Sequence, residues 1–410
     1  MQTIKTDILI IGAGIMGMAL ARELLARNPA LSLVLIDKEE DVARHGSGRN
    51  SGVLHAGFYY TADSLKARFT REGNQAMRTF CRENNLLVNE CGKVVVATRE
   101  EELEALFELE RRGRCNGVEV TLVDEQELAE IEPNARTVQK ALHSPTTASV
   151  DPIQVCSCLR DLLRRQGAVF YFKEGYRSRK GDHAVETSGA LVIEFGRLIN
   201  AAGLYADRIA RDFGLGMQYR IMPFKGVYLE CSGQIPPVRT NVYPVPNLRN
   251  PFLGVHFTLT GKGLVKIGPT AIPALWRENY QGLEGFRLDE FVEIVGQEAR
   301  LFWADSFGFR ALALEEMKKF RQSFLIASAA RLVRHLEPEQ FRHWTRPGIR
   351  AQLLDVAKMS LVQDFLVEAD QNSVHVLNAV SPAFTCAFPF AAWIVEEYGL
   401  GVKQAEGKAG

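Results

Sequence analysis

An apolar run that ends in the turn GAGIMG, at residues 12–17, leaves this chain few folds to adopt. Residues 8–11 are Ile, Leu, Ile and Ile without the polar alternation of a half-solvated strand, which marks a central parallel strand covered on both faces. Gly12 permits the sharp turn, Gly14 lets the backbone approach a pyrophosphate, and Gly17 lets the next helix lie close to the strand. That helix is expected from Ile15 to Arg27. Its first N–H groups, at Ile15, Met16 and Gly17, and its dipole suit phosphate oxygens.

Glycine turns are common, and context makes this one specific. A second apolar run, residues 31–36, ends on Asp37, about 20 residues beyond the turn, where a dinucleotide fingerprint places a ribose-binding carboxylate. Lys38 follows it and is expected beside the same nucleotide. The fold class is therefore α/β, a Rossmann-like nucleotide domain, with a second lobe of α+β character.

At 410 residues the chain exceeds one ordinary core. A zero net charge gives no whole-chain reason to expect nucleic acid. Seven cysteines without a CxxC pair read as reduced thiols in a cytoplasmic protein, and no metal site is expected. Cys156 and Cys158 fall in an expected helix that points them apart. No signal peptide or run of about 18 apolar residues occurs, so nothing is expected to span a bilayer. Residues 321–342 mix apolar and arginine side chains; a solvated helix with one buried face is preferred there over a membrane anchor.

The polar, glycine-rich loop 44–52 carries Ser47, Gly48, Asn50, Ser51 and Gly52, whose backbone and hydroxyls suit a phosphate or planar ring. It runs into VLHAGFYY, with His55, Tyr59 and Tyr60 as a candidate wall. Helices are expected over 64–84, capped by Ser64, over 100–114, and from Asp151-Pro152 to about 165. A buried-type strand is expected at 168–172, and shorter ones at 176–180, 185–187 and 191–195; Tyr176 is expected beside the cofactor. A further strand, 198–203, ends in small residues, Ala202 and Gly203, where backbone can lie against a cofactor. Strand signals dominate 219–268 and suggest an antiparallel sheet; helical ones occupy 288–336. Strands near 348–353, 363–368 and 374–377 precede a last helix, 384–398, and a tail from 403 to 410. The expected division is a discontinuous nucleotide domain (1–84, 145–215, 345–402) interleaved with an antiparallel-sheet substrate domain (85–144, 216–344).

The fingerprint alone fits NAD, NADP or FAD. Asp37 repels a 2′-phosphate and disfavours NADP. Interleaving along the chain, and the lack of a second GxGxxG, favour one long cofactor, FAD, bound without a covalent link.

Several stretches then carry a specific resemblance: NSGVLHAGFYY at 50–60 with SLKA at 64–67, CGKVVVA at 91–97, PFKG at 223–226, YPVP at 243–246, PFLGVHF at 251–257, GIRAQ at 348–352, HVLNA at 375–379 and SPA at 381–383. Together they resemble the L-2-hydroxyglutarate dehydrogenase/oxidase family of D-amino-acid-oxidase-type FAD enzymes across essentially the whole chain. The resemblance implies oxidation of an L-2-hydroxy acid to a 2-oxo acid, with electrons passing on to a quinone, another carrier or oxygen. Peripheral contact with the inner face of a membrane fits such an acceptor.

A carboxylate substrate needs fixed cations, and Arg350 is the leading candidate, with Lys225 and Arg277 behind it. A hydroxyl proton near neutral pH suits a histidine; His55 is favoured as the base and His256 competes. Tyr59 and Tyr60 are expected to donate to substrate or to pack. Around the start of the last helix, Ser381, Pro382, Ala383, Phe384 and Thr385 are expected along the flavin's pyrimidine side. Departures from the family pattern are Arg49 for a histidine, Val227 for a glutamate, Thr270 for an asparagine and bulky Phe384. They bear on substrate identity more than on reaction type. The alternatives are an amine or amino-acid oxidase of the same superfamily and a flavin-binding protein without turnover.

Overall fold

The computed structural model describes residues 2–246 and 254–400, the side chain of Phe307 excepted. The tail at 403–410 and the start of the strand expected from Phe252 lie outside the described residues. Thr3–Ile11 is the centre of the first sheet, pairing in parallel with Leu33–Asp37 on one side and Val192–Asn200 on the other. Beyond Leu33–Asp37 lies Val169–Phe172; beyond Val192–Asn200 lie Ser373–Asn378, also parallel, and the hairpin Tyr176–Arg179 with Ala184–Thr187. Period-two alternation explains why residues 8–11 are continuously apolar. Ile8 and Ile10 pack beneath the helices Ile15–Arg27, Pro152–Arg165 and Ala383–Glu397. Leu9 and Ile11 face the opposite layer, with Ile209 and Phe213.

Local chemistry sets the helix starts. Ser64 Oγ accepts the Ala67 N–H at 3.1 Å and opens Leu65–Glu83. Asp151 caps Pro152–Arg165 through the N–H groups of Ile153 and Gln154.

A second, eight-stranded sheet is built from His343–Trp344, Leu229–Glu230, Val265–Gly268, His256–Leu259, Asn241–Pro244, Lys93–Val96, Lys140–Ser144 and Thr121–Asp124. It is mixed, where an antiparallel sheet was expected, because Asn241–Pro244 runs parallel to Lys93–Val96. Partners 150 residues apart leave no turn signal from which direction can be read. A third sheet sets Tyr219–Gly226 against Gly348–Asp355 in full antiparallel register. The expected domain division therefore cuts through a sheet, since those two strands were assigned to different domains.

Other differences have identifiable causes. The strands expected at 191–195 and 198–203 are one, Val192–Asn200; Gly196 is no break, and its bare Cα admits the Asp7 carbonyl of the neighbouring strand. Val169–Phe172 is a partly exposed edge strand, so its aromatic run misled. The strands Lys140–Ser144 and Ala148–Val150 carry little signal in the sequence and were not anticipated. The helical region 288–336 divides into Leu288–Ala304, Phe309–Lys318 and Gln322–Ala330. The last of these buries Leu325 and Ala329 against the second sheet, the one-faced packing preferred above. Among the described residues no helix is long and apolar enough to cross a membrane.

Arg277, a candidate substrate cation, is a structural clamp. It is fully buried, and its guanidinium donates to both Asp207 carboxylate oxygens, at 2.7 and 3.0 Å, and to the Leu204 carbonyl. Asp207 also accepts the Ile221 N–H, so one ion pair ties the helix Ala206–Asp212 to the third sheet. Burial by itself raises the Asp207 carboxyl, and Arg277 overrides it and holds the group below its usual range. Arg277→Met should cost about 3–5 kcal/mol in thermal or denaturant unfolding, because it leaves a buried charge uncompensated. The difference from the parent should persist above about pH 4 and shrink as pH falls through the depressed Asp207 value, since a lowered carboxyl contributes stability only while ionised.

Candidate active site

The C-terminal ends of the central strands open into a cavity of about 940 Å³. At one end lie Asp37, Lys38, Tyr176 and Arg177; the middle is backbone from Gly12, Gly14 and the segment 201–203; at the far end stand His55, Tyr228, Tyr243, His256 and Arg350.

The glycine turn is held by contacts that no other residue allows. A Cβ on Gly17 would lie 1.9 Å from the Gly12 carbonyl oxygen, and one on Gly12 would lie 2.6 Å from that of Ala201, with Gly12 at φ +101°. Helix and strand thus meet at backbone contact. Gly14 at the N-cap has no side chain to offer, and among the described residues only the Ile15 N–H of the first turn is taken by protein outside the helix, at 2.9 Å from Ser47 Oγ. Asp37 Oδ2 accepts the Ala13 N–H at 2.9 Å, and Oδ1 the Glu39 N–H at 2.9 Å, which fixes the carboxylate at the strand end. Across the cavity, Asn200 braces the second cradle by donating to Ala206 O and accepting the Ala202 N–H. An uncapped helix start facing bare backbone, with a fixed carboxylate one strand away, suits the diphosphate and ribose of an extended dinucleotide.

Several expected cofactor residues hold the lining and do not form it. Gly48 fits under the Ala43 carbonyl and Gly52 against that of Val150, so both shape the loop from behind. Gly17 acts as helix–strand contact. Lys38 pairs with Glu39 and with Glu278 at 2.8 Å, and bonds His45 at 2.8 Å. Its ammonium occupies the middle of the Glu39–His45–Glu278 group, the one trio among the described residues with metal-ligand proximity.

At the far end, Phe224 and Arg350 are register partners on adjacent strands and both line the cavity. Lys225, between Phe224 and Gly226, belongs to the other face of its strand and lies outside the cavity, which removes it as a substrate cation. Tyr59 and Tyr60 also lie behind the wall: the Tyr59 ring packs on Phe58 at 4.4 Å, and its buried hydroxyl has no partner among the described residues. The Thr385 hydroxyl accepts the His55 N–H at 3.2 Å and sits 3.3 Å from Val53 O, so it fastens the last helix to the histidine segment.

His55 Nδ1 is 3.5 Å from the Lys93 ammonium. His256 is buried, stacks on Tyr243 at 3.7 Å between ring centroids, and has Nδ1 2.7 Å from Gly254 O. Burial first, then the charges of Lys93, His256 and Arg350, holds the His55 imidazole well below its usual value. Burial, with Lys93, Lys319 and Arg350 adding to it against the Gly254 carbonyl, pushes His256 down to about 3. Both rings are therefore neutral in a corner of positive potential.

A family profile described as FAD dependent oxidoreductase matches residues 7–397. L-2-hydroxyglutarate dehydrogenase of Escherichia coli (strain K12) is 34% identical over 402 residues, covering 95% of this chain and 92% of the relative. The mitochondrial L-2-hydroxyglutarate dehydrogenase of Homo sapiens is 33% identical over 419 residues, covering 97% and 89%. The chain belongs to the L-2-hydroxyglutarate dehydrogenase family of FAD dependent oxidoreductases. Among solved structures, dithionite-reduced L-alpha-glycerophosphate oxidase from Mycoplasma pneumoniae with FAD bound superposes with a TM-score of 0.76 at 19% identity, covering 97% of this chain and 95% of that one. Glycine oxidase from Geobacillus kaustophilus follows at 0.71 and 18%, covering 98% and 96%. These share the fold.

The cofactor is FAD, and the cavity offers it both backbone cradles and Asp37. In this FAD enzyme, sequence reasoning missed Tyr228, Tyr243 and Lys93 as site residues although all three lie in or beside stretches that carried the resemblance. Lys93 had a readable signal. A lysine that opens a run of three valines in a strand is either at the edge of a sheet or placed inside for a purpose.

Proposed function

We propose that this FAD enzyme oxidises the anion of an L-2-hydroxy acid, L-2-hydroxyglutarate first, to the 2-oxo acid at the Arg350 end of the cavity. The observation that carries the reading is the sign of the field there. Beyond burial, which depresses both histidines most, Lys93 and Arg350 lower them further, and these cations draw in an anionic hydroxy acid and repel a cationic amine. Arg350 binds the substrate carboxylate as a bidentate fork. A neutral histidine, His55 or His256, takes the hydroxyl proton. Phe384 and Thr270 line the same cavity and set the space for the rest of the acid. The two-electron acceptor for the α-hydride would be supplied by FAD when it is bound. The division into an interleaved FAD part and a substrate part puts this chemistry where the two meet.

We further propose a quinone or oxygen as the acceptor of the electrons, with the enzyme resting on the inner face of a membrane when the acceptor is a quinone. The helices Leu288–Ala304 and Phe309–Lys318 and the turn after them leave Trp303 81% exposed and Leu314, Met317 and Phe320 more than half exposed, beside exposed Arg310, which pairs with Asp305, and exposed Glu315, Lys318 and Arg321. Aromatic and aliphatic side chains among cations suit an anionic lipid interface. Trp303→Ser with Phe320→Ser should lower co-sedimentation with phosphatidylglycerol vesicles several-fold and leave the visible flavin spectrum unchanged. Equal sedimentation of both proteins would remove the membrane from the account.

Anaerobic titration of the yellow protein tests the substrate. Bleaching by L-2-hydroxyglutarate, and none by glycine, sarcosine or D-amino acids, is expected; bleaching by amines alone would make this an amine oxidase, and no bleaching by any of them a protein without turnover. Arg350→Ala should raise the concentration needed for half-bleaching by 10-fold to 1,000-fold, the loss of a charged hydrogen-bond pair of about 1.5–4 kcal/mol, while FAD stays bound.

A further inference from the structure

We propose that Lys93 is a positioning residue that fixes His55 in the tautomer protonated on Nε2, so that His55 donates a hydrogen bond to the substrate and His256 receives the hydroxyl proton. The proposal deepens the hydroxy-acid reading and rests on it for the identity of the proton.

Lys93 is fully buried at the start of Lys93–Val96, between two neighbouring strands of the second sheet. Its Nζ lies 4.2 Å from the centroid of the Tyr243 ring, 5.2 Å from Tyr59 and 5.6 Å from Phe58. Among the described residues it makes no ion pair, and its one hydrogen-bond contact is His55 Nδ1 at 3.5 Å. A desolvated ammonium without a carboxylate needs compensation. Three ring faces supply part of it and the imidazole lone pair supplies the rest. An ammonium can only donate, so Nδ1 of His55 accepts and the ring proton sits on Nε2.

The charged and titratable groups that face His55 are Lys93, His256 and Arg350, with no carboxylate among them, and with Nδ1 against the Lys93 ammonium the ring keeps its one proton on Nε2. Burial brings the Lys93 ammonium down to about 7, with Cys91 opposing. An anion in the cavity raises it again, so the tautomer is held most firmly when substrate is bound.

His256 has the opposite arrangement. The Gly254 carbonyl can only accept, so His256 Nδ1 carries the proton and Nε2 keeps its lone pair. Tyr243 meets both devices, as a face for Lys93 and as the stacking partner of His256. When the substrate O–H bond breaks, its proton goes to His256 Nε2; the substrate anion offsets the cations, Lys93, Lys319 and Arg350, that add to burial in depressing this imidazole.

The test is long-range 1H–15N spectroscopy of the holoprotein labelled at histidine nitrogens, with His55 assigned by loss of its signals in His55→Gln. Below about pH 7 the His55 signals should show Nδ1 unprotonated and Nε2 protonated. Lys93→Met should abolish that preference, and Lys93→Arg should restore it. In anaerobic rapid mixing, His256→Gln should slow flavin reduction about 100-fold or more, the scale of a lost general base. His55→Gln keeps an amide donor and should cost about 10-fold or less. A protonated Nδ1 on His55 in the parent, an unchanged tautomer in Lys93→Met, or a larger rate loss in His55→Gln than in His256→Gln would each overturn the proposal. Where Lys93→Met fails to fold, the parent spectrum decides. Absence of bleaching in the parent would instead remove the hydroxy-acid reading and leave the tautomer result standing.

Discussion

Three backbone segments meet at Gly12: its own turn, the helix start at Gly17 and the strand end at Ala201. With contacts this close the central strand, the first helix and Val192–Asn200 cannot slide past one another, and the cavity's middle is lined by main chain. Main chain there presents N–H groups and a helix dipole to a diphosphate.

The far end depends on charge. Two strands in antiparallel register bring Arg350 beside Phe224, and a parallel pairing brings Tyr243 beside Lys93–Val96. Cations thus reach one corner from two different sheets. A buried ammonium is costly to desolvate, and at Lys93 ring faces and the His55 lone pair offset the cost. Burial, and then the neighbouring charges, keeps both histidines neutral, the state in which a free ring nitrogen can take a proton. The Arg277–Asp207 clamp shows a structural use of a buried arginine, tying a helix to the third sheet.

Local features of the nucleotide half were legible in the sequence. The turn at Gly12, the caps at Ser64 and Asp151, and the continuous apolar run of residues 8–11 each act within a few residues, and each stands where it was expected. What failed was non-local. The direction of Asn241–Pro244, the register that pairs Tyr219–Gly226 with Gly348–Asp355, and the face taken by Lys225 are decided by partners more than 100 residues away. Arg277 looked like a ligand-binding cation because its partner, Asp207, carries no mark in the sequence. Tyr59 and Tyr60 sit in the most family-specific stretch, yet the chain turns from Gly57 onward and sends them behind the wall. A motif match fixes the neighbourhood of a side chain and leaves its direction open.

The account makes the Arg350 corner the place where the substrate's α-carbon is oxidised. Anaerobic rapid mixing with L-2-hydroxyglutarate carrying deuterium on that carbon tests this most directly. The account predicts that flavin reduction by the deuterated acid is several-fold slower than by the protiated one, and that the D enantiomer reduces the flavin far more slowly than either. Equal rates for the two isotopologues, or indifference to the configuration of the α-carbon, would contradict it.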